Sequence, residues 1–168
     1  MTFLHLSRIR RTLCALGLVA SVLAANPLHA FQLQSMDAAR VNLNDHLGDG
    51  RWKLVMFWST DCIPCEQQKP MIEAFNQAHQ NTDASVVGIA LDGIDSISAI
   101  ENLVERHQPS YPNLVVFTDV FHRQYLELTG KQFRATPTYL LFDPDGELAG
   151  VRTGSIERDM LESILAGN

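Results

Sequence analysis

An uninterrupted apolar run, Leu54-Val55-Met56-Phe57-Trp58, hands over through Ser59-Thr60-Asp61 to Cys62-Ile63-Pro64-Cys65. The run reads as a buried central strand. Pro64 suits the first turn of a helix, which needs no donor from that nitrogen, and it removes freedom from the loop between the cysteines. The chain is thereby constrained to a strand-to-helix junction with a dithiol at the helix start. Thiols at this spacing can close a disulfide with each other, and a helix N-terminus stabilises the thiolate that attacks another disulfide. The chemistry implied is thiol–disulfide exchange, which calls for no cofactor.

The rest of the chain alternates in type. Phe31, Leu33, Val41 and Leu43 have strand-like spacing, and Met71, Ile72, Phe75 and Ala78 have helical spacing behind the dithiol. Val86 to Leu91 reads as a second buried strand. A helix is predicted from about Ser96 with Ile97, Ile100, Leu103 and Val104 on one face, and Ser98 with Glu101 is its candidate capping box. Leu114 to Phe117 follows as a short strand, Phe121 to Leu128 as a helix closed near Gly130, and Thr138 to Phe142 as another strand. Asp143-Pro144-Asp145-Gly146 is a turn, with proline presetting φ and glycine accepting a positive φ, so Leu148 to Thr153 returns as a hairpin partner. Ser155 is the candidate cap of a last helix with Met160, Leu161, Ile164 and Leu165 facing inward. Strands separated by helices and finished by a hairpin and a helix predict an α/β fold, a mixed central sheet covered on both faces.

The two ends of the chain differ in kind. Arg8, Arg10 and Arg11, an acid-free apolar stretch from Thr12 to Ala25, and Leu28-His29-Ala30 have the anatomy of a secretory signal peptide. The stretch is short for a bilayer span, so cleavage after Ala30 is expected rather than a retained membrane anchor. The domains predicted are a signal at 1–30 and a single globular domain at 31–168, periplasmic or otherwise exported. Thirteen Lys and Arg stand against nineteen Asp and Glu, and the leader holds three of the former and none of the latter, so the mature chain carries −9. Nucleic-acid binding is disfavoured. Cys14 leaves with the signal, and the remaining pair spans too short a loop to stabilise much by chain entropy, so reactivity explains it better.

The run Trp52 to Cys65, then Pro70, then Ala135-Thr136-Pro137-Thr138 ahead of Leu140-Leu141-Phe142-Asp143-Pro144-Asp145-Gly146, resembles the thioredoxin superfamily, in particular its TlpA/ResA-like exported thiol–disulfide oxidoreductases. The resemblance covers nearly the whole mature chain. It implies a thioredoxin fold with extra N-terminal strands, Cys62 as exposed nucleophile and Cys65 as resolving thiol. The helix start supports these roles, because its first cysteine faces solvent and unpaired N–H groups while the second turns inward. Pro137 corresponds to the family's cis-proline, with Thr136 placed against the substrate. Trp58, Ile63 and Pro64 complete the substrate surface, with Trp58 able to shield the dithiol. Client proteins with disulfides or thiols, a membrane thiol reductase as electron donor, and a role in cytochrome c maturation or general disulfide reduction are implied as well.

Three positions depart from the family pattern. Asp61 replaces the usual tryptophan before the first cysteine and opposes ionisation of Cys62. Gln68 replaces a glutamate, and Met56 stands where cytoplasmic thioredoxins bury an aspartate, so neither usual proton acceptor is present. Glu66 is a candidate base, although a solvated first-turn acid favoured by the helix dipole is the simpler reading.

Rivals from other classes fit less well. The two cysteines could hold copper(I) as a metallochaperone-like module, but His46, His79, His107 and His122 are scattered and none completes a metal site in sequence. Glu66 occupies the place a c-type haem motif gives to histidine. Ser59 sits where a peroxiredoxin motif needs a hydroxyl, without the proline that should precede it.

Overall fold

The computed structural model describes residues 31–167. The expected export signal and Cys14 lie outside that range. In chain order the elements are β1 (Gln32–Gln34), β2 (Arg40–Asn42), β3 (Trp52–Trp58), α1 (Ile63–His79), β4 (Ala84–Ala90), α2 (Ile97–His107), β5 (Asn113–Val116), α3 (Phe121–Thr129), β6 (Thr138–Phe142), β7 (Leu148–Thr153) and α4 (Arg158–Ala166). The strands form one mixed sheet in the order β2-β1-β5-β4-β3-β6-β7. Strand β3 runs parallel to β4 and antiparallel to β6, and β4 runs parallel to β5. Parallel neighbours need crossovers, which α1 and α2 supply. The extra N-terminal strands extend the sheet beyond β5, with Leu33 paired to Val116.

Alternation along β3 divides the core in two, because successive side chains of a strand point to opposite faces. Leu54, Met56 and Trp58 pack with Ile72 and Phe75 of α1, Ile100 of α2 and Leu161 of α4. Val55 and Phe57 face the other way, into a cluster with Phe31, Val87, Leu114, Phe121 and Tyr125. Phe57 makes edge-on contacts with Phe121 and Tyr125 at ring separations of 5.5 and 5.8 Å. The sheet is thus covered on both faces. The turn after β6 forms as its residues predict, with Gly146 at φ +89° donating its N–H to the Asp143 carbonyl at 3.0 Å.

The helix ends depart from expectation. Ser98 lies inside α2, not at its cap, because a 3₁₀ turn at Ile94–Ser96 leads directly into the helix. The Ile94 carbonyl of that turn accepts the Ile97 N–H, so the entry needs no capping box. Ser155 likewise caps nothing: α4 starts at Arg158, with Glu157 as the flanking residue and no side-chain cap. Only Leu161 of the expected inward set on α4 is fully buried, and Met160 is 40% exposed. Leu43 opens a 3₁₀ turn, not a strand, under a capping box made by Asn42 and Asp45. Pro70 lies within α1, which runs on past it to His79.

His79 ties the end of α1 to α4. Its Nδ1 lies 2.8 Å from Asp83 and its Nε2 lies 3.0 Å from Glu162. Burial opposes its charge, but hydrogen bonds to the two carboxylates outweigh that and raise its pKa. A raised folded pKa means the contribution to stability is complete below the unfolded value of about 6.5 and fades as pH rises through the folded one. Removing the ring should therefore cost up to about 1 kcal/mol in mild acid and little in mild base. Urea unfolding of wild type and His79→Gln at both pH values checks this, and a gap that widens with pH would contradict it.

Candidate active site

The dithiol sits where α1 begins, beyond the C-terminal end of β3. Cys62 is the residue preceding the helix, and its sulfur accepts the Cys65 backbone N–H at 3.1 Å. Cys62 and Cys65 are joined as a disulfide, with Cα atoms 5.2 Å apart. Their surroundings differ as a helix start dictates: Cys65 is fully buried, and Cys62 keeps 7% exposure. Cys62 is therefore less open than an exposed nucleophile, because the first turn folds over it and leaves its accessible edge at the surface. Ile63 stands outside at 71% exposed, and Pro64 beside it is exposed too.

Loops on either side of the dithiol are pinned. The backbone N–H and the hydroxyl of Thr60 both donate to Asp92, at 3.1 and 2.6 Å. Asp92 lies just past the end of β4, and the parallel pairing of β3 with β4 brings that end beside the loop leading to Cys62. The Ser59 hydroxyl donates to Asp61 at 3.0 Å and lies 3.3 Å from the Thr136 hydroxyl. The Thr136–Pro137 peptide bond is cis, and the Pro137 carbonyl accepts the Gly154 N–H at 2.8 Å. Thr136 is half-buried and Pro137 is buried. Residues distant in sequence, 59–65 and 136–137, thus share one end of the sheet.

Trp58 does not offer a surface to a client. It is 1% exposed, because it closes a central strand whose face is covered by α1 and α2. Its indole N–H donates to Asn113 at 3.2 Å, and the Lys69 ammonium sits 4.0 Å from the centre of its ring. Trp58 belongs to the same buried cluster as both cysteines, so it packs behind them.

The variant positions acquire distinct surroundings. Gln68 is committed as an acceptor, taking the Tyr139 hydroxyl at 3.0 Å and the Ile156 N–H at 2.8 Å through one oxygen. An amide in that position braces α1 against β6 but takes up no proton. Met56 is buried and apolar. Glu66 pairs with Lys69 at 2.6 Å and with His107 at 2.7 Å. Burial pushes the Glu66 carboxyl up, yet those two partners outweigh it and lower its pKa, which makes it a weak base. Sequence reasoning passed over Lys69, Asp92 and Asn113. For Lys69 a signal was available, since it stands one helical turn beyond Cys65, on the same face. Among the described residues, no group of three or more His, Cys, Asp or Glu side chains is placed to hold a metal ion.

Residues 24–151 match the AhpC/TSA family. The thiol-disulfide oxidoreductase ResA of Bacillus subtilis is 27% identical over 135 residues, covering 80% of this chain and 70% of that protein. ResA of Halalkalibacterium halodurans is 23% identical over 135 residues, covering 80% and 71%. In fold, the chain is similar to a thioredoxin-family thiol:disulfide interchange protein from Chlorobium tepidum, with TM-score 0.67, 20% identity and coverage of 82% and 92%. StoA from Bacillus subtilis is a further structural relative, with TM-score 0.60, 18% identity and coverage of 80% and 94%. The fold these neighbours share with the chain is the thioredoxin fold.

Proposed function

Because the chain belongs to the AhpC/TSA family and is a thioredoxin-like thiol–disulfide oxidoreductase, we propose that Cys62 and Cys65 are its redox couple and that it acts as a reductase of disulfides in exported proteins. The observation that carries this reading is the pairing of a partly accessible Cys62 with a fully buried Cys65 across one helix start. Cys62 thiolate attacks a client disulfide. The client's S–S bond breaks, and its leaving sulfur takes up a proton. Cys65 then attacks Cys62, releasing the second client sulfur as a thiol and closing Cys62–Cys65. Ile63 and Pro64 provide the exposed approach, and the backbone beside Thr136 and Pro137 pairs with the client segment.

On this reading residues 1–30 are the export signal, 31–168 the functional domain, and a membrane thiol reductase returns electrons to the closed disulfide. Among the described residues no helix is long and apolar enough to cross a membrane. Cytochrome c maturation or general disulfide reduction is the role this reading gives the chain, whose relatives are named thiol-disulfide oxidoreductases.

The test is the equilibrium potential of the Cys62/Cys65 couple against a glutathione series, with insulin reduction measured alongside. A couple more reducing than the glutathione pool, with insulin disulfides cleaved, is expected. A strongly oxidising couple would reverse the direction. Copper(I) retention without insulin cleavage would move the pair to metal carriage.

A further inference from the structure

We infer that Lys69 is a positioning residue that holds a positive charge behind the dithiol and so favours the thiolate of Cys65, an inference that rests on the exchange reaction proposed above. Cys65 needs such help: it is fully buried, and a thiol in apolar surroundings resists ionisation. The usual relief, a carboxylate that takes the proton, is missing, because Gln68 is an amide committed to Tyr139 and Ile156, and Met56 is apolar.

Lys69 lies one turn beyond Cys65 on α1, and helical side chains lean toward the N-terminus, back over the preceding turn. The Lys69 residue is only 6% exposed, and its ammonium rests over the Trp58 ring, in the cluster that contains both cysteines. Placing an ammonium there costs desolvation, which no solvent-facing lysine would incur. The ion pair to Glu66 at 2.6 Å offsets that cost, and His107 at 2.7 Å fixes the far oxygen of Glu66. The lysine is thus held by a chain of partners and is not free to swing into solvent.

Other charged and titratable groups around this lysine come from α1, α2 and the loops that follow α2 and β4, with Glu73 one turn further along α1. Arg106 of α2 opposes its charge, whereas Glu66 of α1 and Asp92 after β4 support it. His107 and Tyr111 border the same flank. Burial pulls the Lys69 pKa down, and Glu66 works against that pull. Tyr111 and Tyr139 have phenols pushed well above their ordinary range by burial, so both stay neutral. A cation held near a buried thiol stabilises the charged form of that thiol. In the resolving step Cys65 loses its proton, its sulfur bonds to Cys62, the bond from Cys62 to the client breaks, and the departing client sulfur ends as a thiol. Lys69 moves no electrons and keeps its own proton. It lowers the cost of the first of these events.

Two substitutions of opposite logic test this in a Cys14→Ser, Cys62→Ser background, where Cys65 is the last of the chain's three cysteines. Lys69→Met keeps length and packing without charge, and Lys69→Arg keeps charge and can stack on an indole. Ultraviolet thiolate absorbance against pH should show about ten-fold less Cys65 thiolate at a given pH for Lys69→Met. Lys69→Arg should stay within about two-fold of the parent. With Cys62 restored, Lys69→Met should slow release of a trapped client by a similar factor, and the deficit should close as pH rises. An unmoved Cys65 titration in Lys69→Met overturns the inference, and so does an equal shift in both variants, which would trace the effect to packing. Insulin reduction by the wild type separates the levels: an inactive wild type strikes the exchange reading and this inference with it, whereas an active one with an unmoved titration strikes the inference alone.

Discussion

Cys65→Ala protein should accumulate a covalent complex with its client and lose turnover at least about a thousand-fold, equivalent to about 4 kcal/mol of transition-state stabilisation. Different atoms serve the two cysteines. The hydrogen bond that steadies the Cys62 sulfur comes from the backbone N–H of residue 65, at 3.1 Å. Alanine retains that N–H and the helix that presents it, so attack by Cys62 survives while the sulfur that would undo the mixed disulfide is gone. Cys62→Ser loses turnover at least as completely but forms no covalent complex, because Cys65 is fully buried and cannot meet a client. Non-reducing electrophoresis of reactions with an oxidised model client, together with insulin reduction, reads both results. A complex formed through residue 65 in Cys62→Ser, or ordinary turnover by Cys65→Ala, would exchange or abolish the roles given to the two sulfurs.

What could be read from the chain without coordinates follows the strength of each physical signal. The run at 54–58 and the apolar stretch at 86–91, short and rich in β-formers, read as covered strands, and they lie in the adjacent strands β3 and β4. Cys62 at a helix start was legible because Pro64 suits a first turn, and Pro64 does lie there. Cis geometry at Pro137 was legible through family resemblance alone, since a lone X-Pro bond is usually trans. The caps failed for a different reason. Ser98 and Ser155 have the right chemistry, but helix entry at Ile97 is set by a preceding 3₁₀ turn, and at Arg158 it is set after Ile156 has been anchored through Gln68. Trp58 was expected to shield the dithiol and share in the substrate surface, yet its strand position turns it into the α1 side of the core. The same tertiary approach of helix to strand lays Lys69 across the indole; helical spacing places Lys69 on the face of Cys65 but does not give the ring it meets.

A methyl group at Gly88 should unsettle this arrangement from behind, destabilising the protein by about 1–3 kcal/mol. Gly88 lies in β4, paired with Met56 on one side and Asn113 on the other. A Cβ there would stand 2.2 Å from the Asn113 side-chain oxygen and 3.3 Å from the Trp58 indole nitrogen. The strand backbone is held on both sides, so the Asn113 side chain must turn away. That movement breaks its bond to the Trp58 N–H and leaves a buried donor without its acceptor. If the cost arises this way, it is shared: Gly88→Ala should add little in an Asn113→Ala background, where the acceptor is already gone, and little in Trp58→Phe, where the donor is gone. Urea unfolding of the single and double variants measures the coupling. Fully additive losses would mean that the methyl group strains the strand itself and that the indole's hydrogen bond has no part in the stability of the wall behind the dithiol.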